Sequence, residues 1–123
     1  MAKILVVDDA KVMRITIKKQ LEKLGHEVIA EAENGFEAIE QYKLYNPDLV
    51  TMDITMPEVN GISSGIEALV EIRNIDPNAK IIMVTSHGEE NLVIEAISKG
   101  SKGYILKPIV QDKLQDIIEK LKT

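Results

Sequence analysis

Lys3-Ile4-Leu5-Val6-Val7-Asp8-Asp9 is the stretch from which the rest of the chain is read. Its four consecutive apolar residues are too few for a helix and show none of the alternation of a strand with one wet face. They suit a strand covered by helices on both sides. Two carboxylates follow at once. Comparable runs are Leu49-Val50-Thr51-Met52, ahead of Asp53, and Ile81-Ile82-Met83-Val84, ahead of Thr85-Ser86.

Working outward from these runs, five strands are expected: Lys3 to Val7, Glu27 to Ala32, Asp48 to Met52, Lys80 to Thr85 and Gly103 to Leu106. Longer amphipathic stretches separate them. Met13, Ile17, Leu21 and Leu24 recur at helical spacing, as do Leu92, Ala96 and Ile97, and then Leu114, Ile117, Ile118 and Leu121. All three stripes read as core. Gly25, Asn46-Pro47, Asp76-Pro77 and Gly100 supply helix stops. Five such βα units predict an α/β fold, a doubly wound five-stranded parallel sheet with right-handed crossovers. Ligands of such sheets bind beyond the carboxyl ends of the strands. The residues at those ends are Asp8-Asp9, Asp53, Thr85-Ser86 and Lys107.

Composition narrows the function classes. With 123 residues, 45% of them hydrophobic, the chain can bury one core, and a single domain over 1–123 is expected. No apolar run approaches the roughly 18 residues that would span a bilayer, and no signal-peptide architecture precedes the first strand. A cytoplasmic protein without membrane insertion is therefore expected. The absence of cysteine excludes disulfides and thiolate chemistry, and two histidines, His26 and His87, are too few for a multi-histidine zinc site. A net charge of -5 argues against nucleic acid as a partner, so Lys18-Lys19 and Lys120-Leu121-Lys122 read as solvated helix surface.

In a doubly wound sheet the third strand commonly neighbours the first, which would bring Asp8, Asp9 and Asp53 together. Like charges a few ångströms apart repel by about 4 kcal/mol per pair at an effective dielectric of 20, so an ionised cluster needs a cation. Oxygen ligands without His or Cys suit magnesium or manganese. Asp8-Asp9 also fits an N-cap of the next helix, and the two roles are compatible. Lys107, before Pro108 in an X-Pro pair that permits a cis peptide, is either a charge partner at a buried strand end or a surface lysine before a turn. Thr85 alone is an ordinary β-branched strand residue; at a strand end it also offers a hydroxyl donor. Together, a carboxylate nucleophile, a divalent cation, an ammonium and a hydroxyl fit phosphoryl transfer.

Val6-Val7-Asp8-Asp9, the run Met52-Asp53-Ile54-Thr55-Met56-Pro57 through Gly61, Val84-Thr85-Ser86, and Lys102-Gly103-Tyr104-Ile105-Leu106-Lys107-Pro108 closely resemble the receiver domains of two-component response regulators. The resemblance covers essentially the whole chain and is strongest to stand-alone chemotaxis receivers, because nothing follows the fifth helix. It implies a flavodoxin-like strand order 2-1-3-4-5. It also implies that Asp53 is phosphorylated and that Asp9, Asp53 and the backbone carbonyl of Thr55 bind Mg2+, with Asp8 acting through a water on the ion. Lys107 would pair with carboxylate or phosphoryl oxygens, Thr85 would bond the phosphoryl group, and Tyr104 would rotate inward as Thr85 moves. Tyr104 otherwise reads as a half-buried strand aromatic.

The implied partners are a sensor histidine kinase as donor, a motor switch protein as output and a phosphatase, with the domain acting as a monomeric switch and not as an enzyme. Alternatives are a phosphorelay intermediate or phosphate sink, a scaffold that has lost its switching, and a small phosphatase of the haloacid-dehalogenase kind. That last motif has a second Asp two residues after the nucleophile, where this chain has Thr55. Two departures from the family pattern stand out. Gly61-Ile62-Ser63-Ser64 precedes a second Gly65-Ile66 and looks like a four-residue insertion, which either lengthens the loop or adds a turn to the third helix. His87, two residues past Thr85, either tunes the loss of phosphate or faces solvent.

Overall fold

The structure, a computed structural model, describes residues 1–121, so Lys122 of the expected basic stretch lies outside the described residues. Strands and helices alternate: β1 (Lys3–Val7), α1 (Lys11–Lys23), β2 (Glu27–Ala32), α2 (Gly35–Tyr45), β3 (Leu49–Asp53), α3 (Gly65–Ile75), β4 (Ile81–Thr85), α4 (Glu90–Ser98), β5 (Gly103–Leu106) and α5 (Gln111–Leu121). All four strand pairings are parallel, in the order β2-β1-β3-β4-β5. The three strands whose sequences are almost wholly apolar are thus the three inner ones. Every residue of β3 and β4 is buried, whereas the edge strands β2 and β5 are only partly so.

Side chains alternate between two cores. Leu5, Val7, Val50, Met52, Ile81 and Met83 pack under α2, α3 and α4 with Ile39, Leu69, Ile72 and Ala96. Ile4, Val6, Ile82, Val84 and Ile105 face the other way, onto Ile17 and Leu21 of α1 and Leu114 and Ile118 of α5. Burying a Leu or Ile side chain fully contributes about 1.5–3 kcal/mol, so these layers hold the sheet and with it the strand ends.

The expected stripes of α1 and α5 hold: Ile17, Leu21, Leu114 and Ile118 are buried, and Met13, Leu24, Ile117 and Leu121 pack at the margin. The α4 stripe holds only at Ala96. Val93 and Ala96 are its buried residues, while Leu92 and Ile97 are exposed along with Ile94. Helical spacing in this nine-residue helix admits two neighbouring faces, and only contact with β4 decides which one is covered. A smaller difference is the register of β3, which runs from Leu49 to Asp53 and not from Asp48 to Met52. Asp48 instead accepts the Lys3 N–H through its carboxylate (2.8 Å).

The segment that reads as an insertion lies in the loop before α3 and not in the helix. Asn60 and Gly61 both have positive φ (51° and 84°), as a type I′ turn requires, and Val59 and Ile62 bond across it. Ser64 then caps α3 by accepting the Glu67 N–H, and Glu67 reaches back to the N–H of Ser63. Gly65, the first residue of the helix, touches the backbone of β3: its N–H donates to the Ile54 carbonyl (2.8 Å), and a Cβ there would collide with the Asp53 carbonyl.

Candidate functional site

Asp53 is the last residue of β3, paired with Val84 of β4, so the sheet itself holds its backbone. β1 lies on the other side of β3, and the chain leaving it places Asp8 and Asp9 beside Asp53. Carboxylate oxygens of the three residues lie within 4.8 Å of one another. Asp8 is fully buried, Asp53 is 6% exposed, and Asp9 opens to solvent. Lys107 follows β5, and its Nζ lies 3.2 Å from Asp8 Oδ2 and 3.5 Å from Asp53 Oδ1. The surface-lysine reading therefore falls. The Lys107–Pro108 peptide is cis.

The capping reading of Asp8-Asp9 survives only in part. α1 begins after Ala10 with no side-chain cap; Asp8 Oδ1 accepts the Ala10 N–H (2.9 Å), an Asx-type turn that leaves Oδ2 to the cluster. Apart from the Lys107 ion pair, buried Asp8 Oδ2 has no hydrogen-bond partner. One ammonium thus faces three carboxylates. Burial pushes the Asp53 carboxyl up to about 7, and the charge of Asp8 adds to the effect against the pull of Lys107. Burial would by itself lower Lys107, but Asp53 and Asp8 outweigh it and hold the ammonium above its ordinary value. A crowded, oxygen-only and partly orphaned acidic pocket fits Mg2+.

Thr85 ends β4 and is buried; Thr55 lies exposed two residues beyond Asp53. Both hydroxyls donate to the carboxylate of Glu89, a residue that sequence reasoning missed. Burial works against ionising Glu89, yet hydrogen bonds from Thr55, Ser86 and Thr85 hold it below the usual carboxylate range. Its only sequence signal was a Glu at the start of α4, which reads as helix-dipole compensation. Arg14 was missed too: Nη1 donates to the Asp8 carbonyl (2.7 Å) and Nε pairs with Glu31 of β2 (3.2 Å), pinning the turn after β1.

His87 is exposed, on the wall of an open groove of about 330 Å³ that also takes in Val93, Ile94, Ile97 and Tyr104. Tyr104 is 52% exposed and points outward. His26 is buried at the opposite end of the sheet, where Nδ1 accepts the Ala2 N–H, and takes no part in the site.

A buried aspartate at the end of a central strand, with two acidic neighbours, a lysine and a strand-end hydroxyl, defines a class. The family model of the response regulator receiver domain matches residues 4–119, and the chain belongs to that family. Among curated proteins it is 52% identical over 118 residues to the chemotaxis protein CheY of Bacillus subtilis, covering 96% of this chain and 95% of that one. It is 47% identical over 120 residues to CheY of Halobacterium salinarum, covering 98% and 96%. Among solved structures it is similar to one described as the CheX-CheY-BeF3-Mg+2 complex from Borrelia burgdorferi. The TM-score is 0.90 at 33% identity, over 98% of this chain and 89% of that one. Receiver domains of this type are signalling switches of two-component systems, not enzymes in the ordinary sense. No helix among the described residues is long and apolar enough to cross a membrane.

Proposed function

We propose that the protein, acting as one receiver unit over residues 1–123, takes a phosphoryl group from a histidine kinase onto Asp53 and thereby changes its affinity for a partner in chemotaxis or motility control. The observation that carries this reading is the convergence of the Asp8, Asp9 and Asp53 carboxylates within 4.8 Å of one another, with Lys107 paired to Asp8 and Asp53, at the carboxyl ends of β1, β3 and β5. Asp53, Asp9 and the Thr55 carbonyl would hold Mg2+, with Asp8 beside them. Bound there, the cation supplies positive charge to the crowded carboxylates and to the phosphoryl oxygens.

An Asp53 carboxylate oxygen attacks phosphorus as the bond to the donor nitrogen breaks, and that nitrogen leaves with the bonding pair. Lys107, already 3.5 Å from Asp53 Oδ1, stays as the ammonium that offsets the new charge. Thr85 offers its hydroxyl to an equatorial oxygen. The product carries about two negative charges where the carboxylate carried one, together with new acceptor oxygens, and the switch is the redistribution of hydrogen bonds toward them. Tyr104, exposed beside the groove, turns inward as Thr85 moves and reshapes the face of α4, β5 and α5 that meets a motor switch protein. The working form is a cytoplasmic monomer, dephosphorylated with the help of a separate phosphatase.

Intact-mass spectrometry after incubation with acetyl phosphate and Mg2+ tests the acceptor. A single phosphate adduct is expected on the wild type, and none on Asp53→Asn or with excess chelator. A folded protein that gains no adduct, or gains one without Asp53, overturns the reading.

A further inference from the structure

Glu89 Oε1 accepts the Thr85 hydroxyl at 3.1 Å and the Ser86 N–H at 2.6 Å, while Oε2 accepts the Thr55 hydroxyl at 2.6 Å. One carboxylate therefore gathers the hydroxyl at the end of β4, the first amide of the loop after it and the hydroxyl two residues past Asp53. Converging hydroxyl and amide donors of this kind are what an anionic group beside Asp53 would require. They are already engaged by an anion of the chain's own.

We propose that Glu89 is an internal stand-in for the phosphoryl group, occupying its donors while Asp53 is bare and expelled when a dianion forms there. This rests on Asp53 being the acceptor. Two physical effects drive the exchange. The entering oxygens compete for the Thr85 and Ser86 protons, and the two anions repel one another. No bond to Glu89 is made or broken in the exchange; only hydrogen bonds change partner.

The consequence is a route from the site to the groove. Glu89 is the residue at which α4 begins, and its N–H donates to the Ser86 carbonyl (3.3 Å), so carboxylate and turn are one unit. Ser86 and His87 of that turn line the same groove as Ile94, Ile97 and Tyr104. Expelling the carboxylate frees the turn and the first residues of α4 on the side of the exposed apolar face. Glu90 provides the contrast: it is exposed and makes one long contact, with the Gly88 N–H at 3.4 Å.

The test is titration of the full chain with beryllofluoride and Mg2+, followed by fluorine and amide NMR, on the wild type, Glu89→Gln, Glu89→Ala, Glu90→Ala and Asp53→Asn. Removing the stand-in should tighten beryllofluoride binding by roughly five- to tenfold in Glu89→Ala, with Glu89→Gln between it and the wild type and Glu90→Ala within about twofold of the wild type. The Ser86 amide should differ between wild type and Glu89→Ala before addition and coincide after it. Equal or weaker binding by Glu89→Ala would mean that Glu89 prepares the donors and does not block them, which sinks the inference and leaves the acceptor role of Asp53 standing. Binding that does not depend on Asp53 in any variant would remove both.

Discussion

Asp53 ends a strand whose five side chains are all buried, whereas Tyr104 belongs to a four-residue strand in which only Ile105 is buried. The helices that follow differ in the same way. α3 buries five residues and sets Gly65 directly on the β3 backbone, while α4 buries Val93 and Ala96 and leaves Ile94 66% exposed. The acidic site is thus built where the strand and helix are closely packed, and the apolar groove where β5 and α4 bury few side chains. Charge must be held within tenths of an ångström to be useful in phosphoryl transfer, and a close-packed core supplies that rigidity. A face that changes partners needs alternative packings of similar energy, which a helix anchored by two side chains provides.

The contrast is most open to attack at Gly65. A Cβ there collides with the Asp53 carbonyl and lies 3.0 Å from Met52 Cγ, so Gly65→Ala must push α3 off β3. We expect a loss of about 2–3 kcal/mol in urea unfolding, together with slower adduct formation. Gly61→Ala, in open space but at φ 84°, should lose about 1 kcal/mol and leave the adduct rate alone. Equal effects at the two glycines would deny that the start of α3 sets the position of Asp53.

A middle-sized effect sharpens the electrostatic half of the comparison. Because burial raises the Asp53 carboxyl to about 7 from an ordinary 3.8, this group favours the fold fully below pH 4 and loses that contribution as pH rises through 7. In chelator, the stability of Asp53→Asn relative to wild type should therefore increase between pH 4.5 and pH 8, by about 1–2 kcal/mol after allowing for solvent screening. Mg2+ should restore wild-type stability at pH 8 with little effect on the variant. A pH-independent difference between the two proteins would contradict the crowded-carboxylate picture.

The smallest effect belongs to the groove. Ile94→Ala removes an exposed side chain and should shift stability by no more than about 0.5 kcal/mol in the same urea assay, while the acetyl phosphate adduct forms at the wild-type rate. A loss of several kcal/mol would show that α4 is held as firmly as α3, and the division between rigid site and adaptable face would go.

How far local pattern reaches is visible in these same elements. Ile4 to Val7, Leu49 to Met52 and Ile81 to Val84 identify the three inner strands by composition, because a strand covered on both faces reads as a nearly continuous apolar run, broken here only by Thr51. The acidic residues at their ends, with Thr85 and Lys107, were legible for a related reason: the carboxyl ends of parallel strands lie on one edge of the sheet. What pattern could not resolve were choices between near-equivalent faces and contacts across the fold. Helical spacing marked Leu92, Ala96 and Ile97 as core, and docking on β4 kept Ala96 but chose Val93 in place of the other two. The second Gly-Ile pair left open a longer loop or a longer helix; a turn at Asn60-Gly61 and the fit of Gly65 against β3 decided for the loop.

Glu89 is the clearest case of the second kind. Its bond to Thr55 joins residues 34 apart in the chain, brought together only when β3 and β4 pair. Sequence by itself determined the strand interiors and the chemical inventory of the site, since those follow from what each residue requires of near neighbours. Tertiary structure alone decided which acceptor the Thr85 hydroxyl and the Ser86 N–H find in the resting state and which face of α4 stays bare, because both depend on distances that exist only after the sheet has closed.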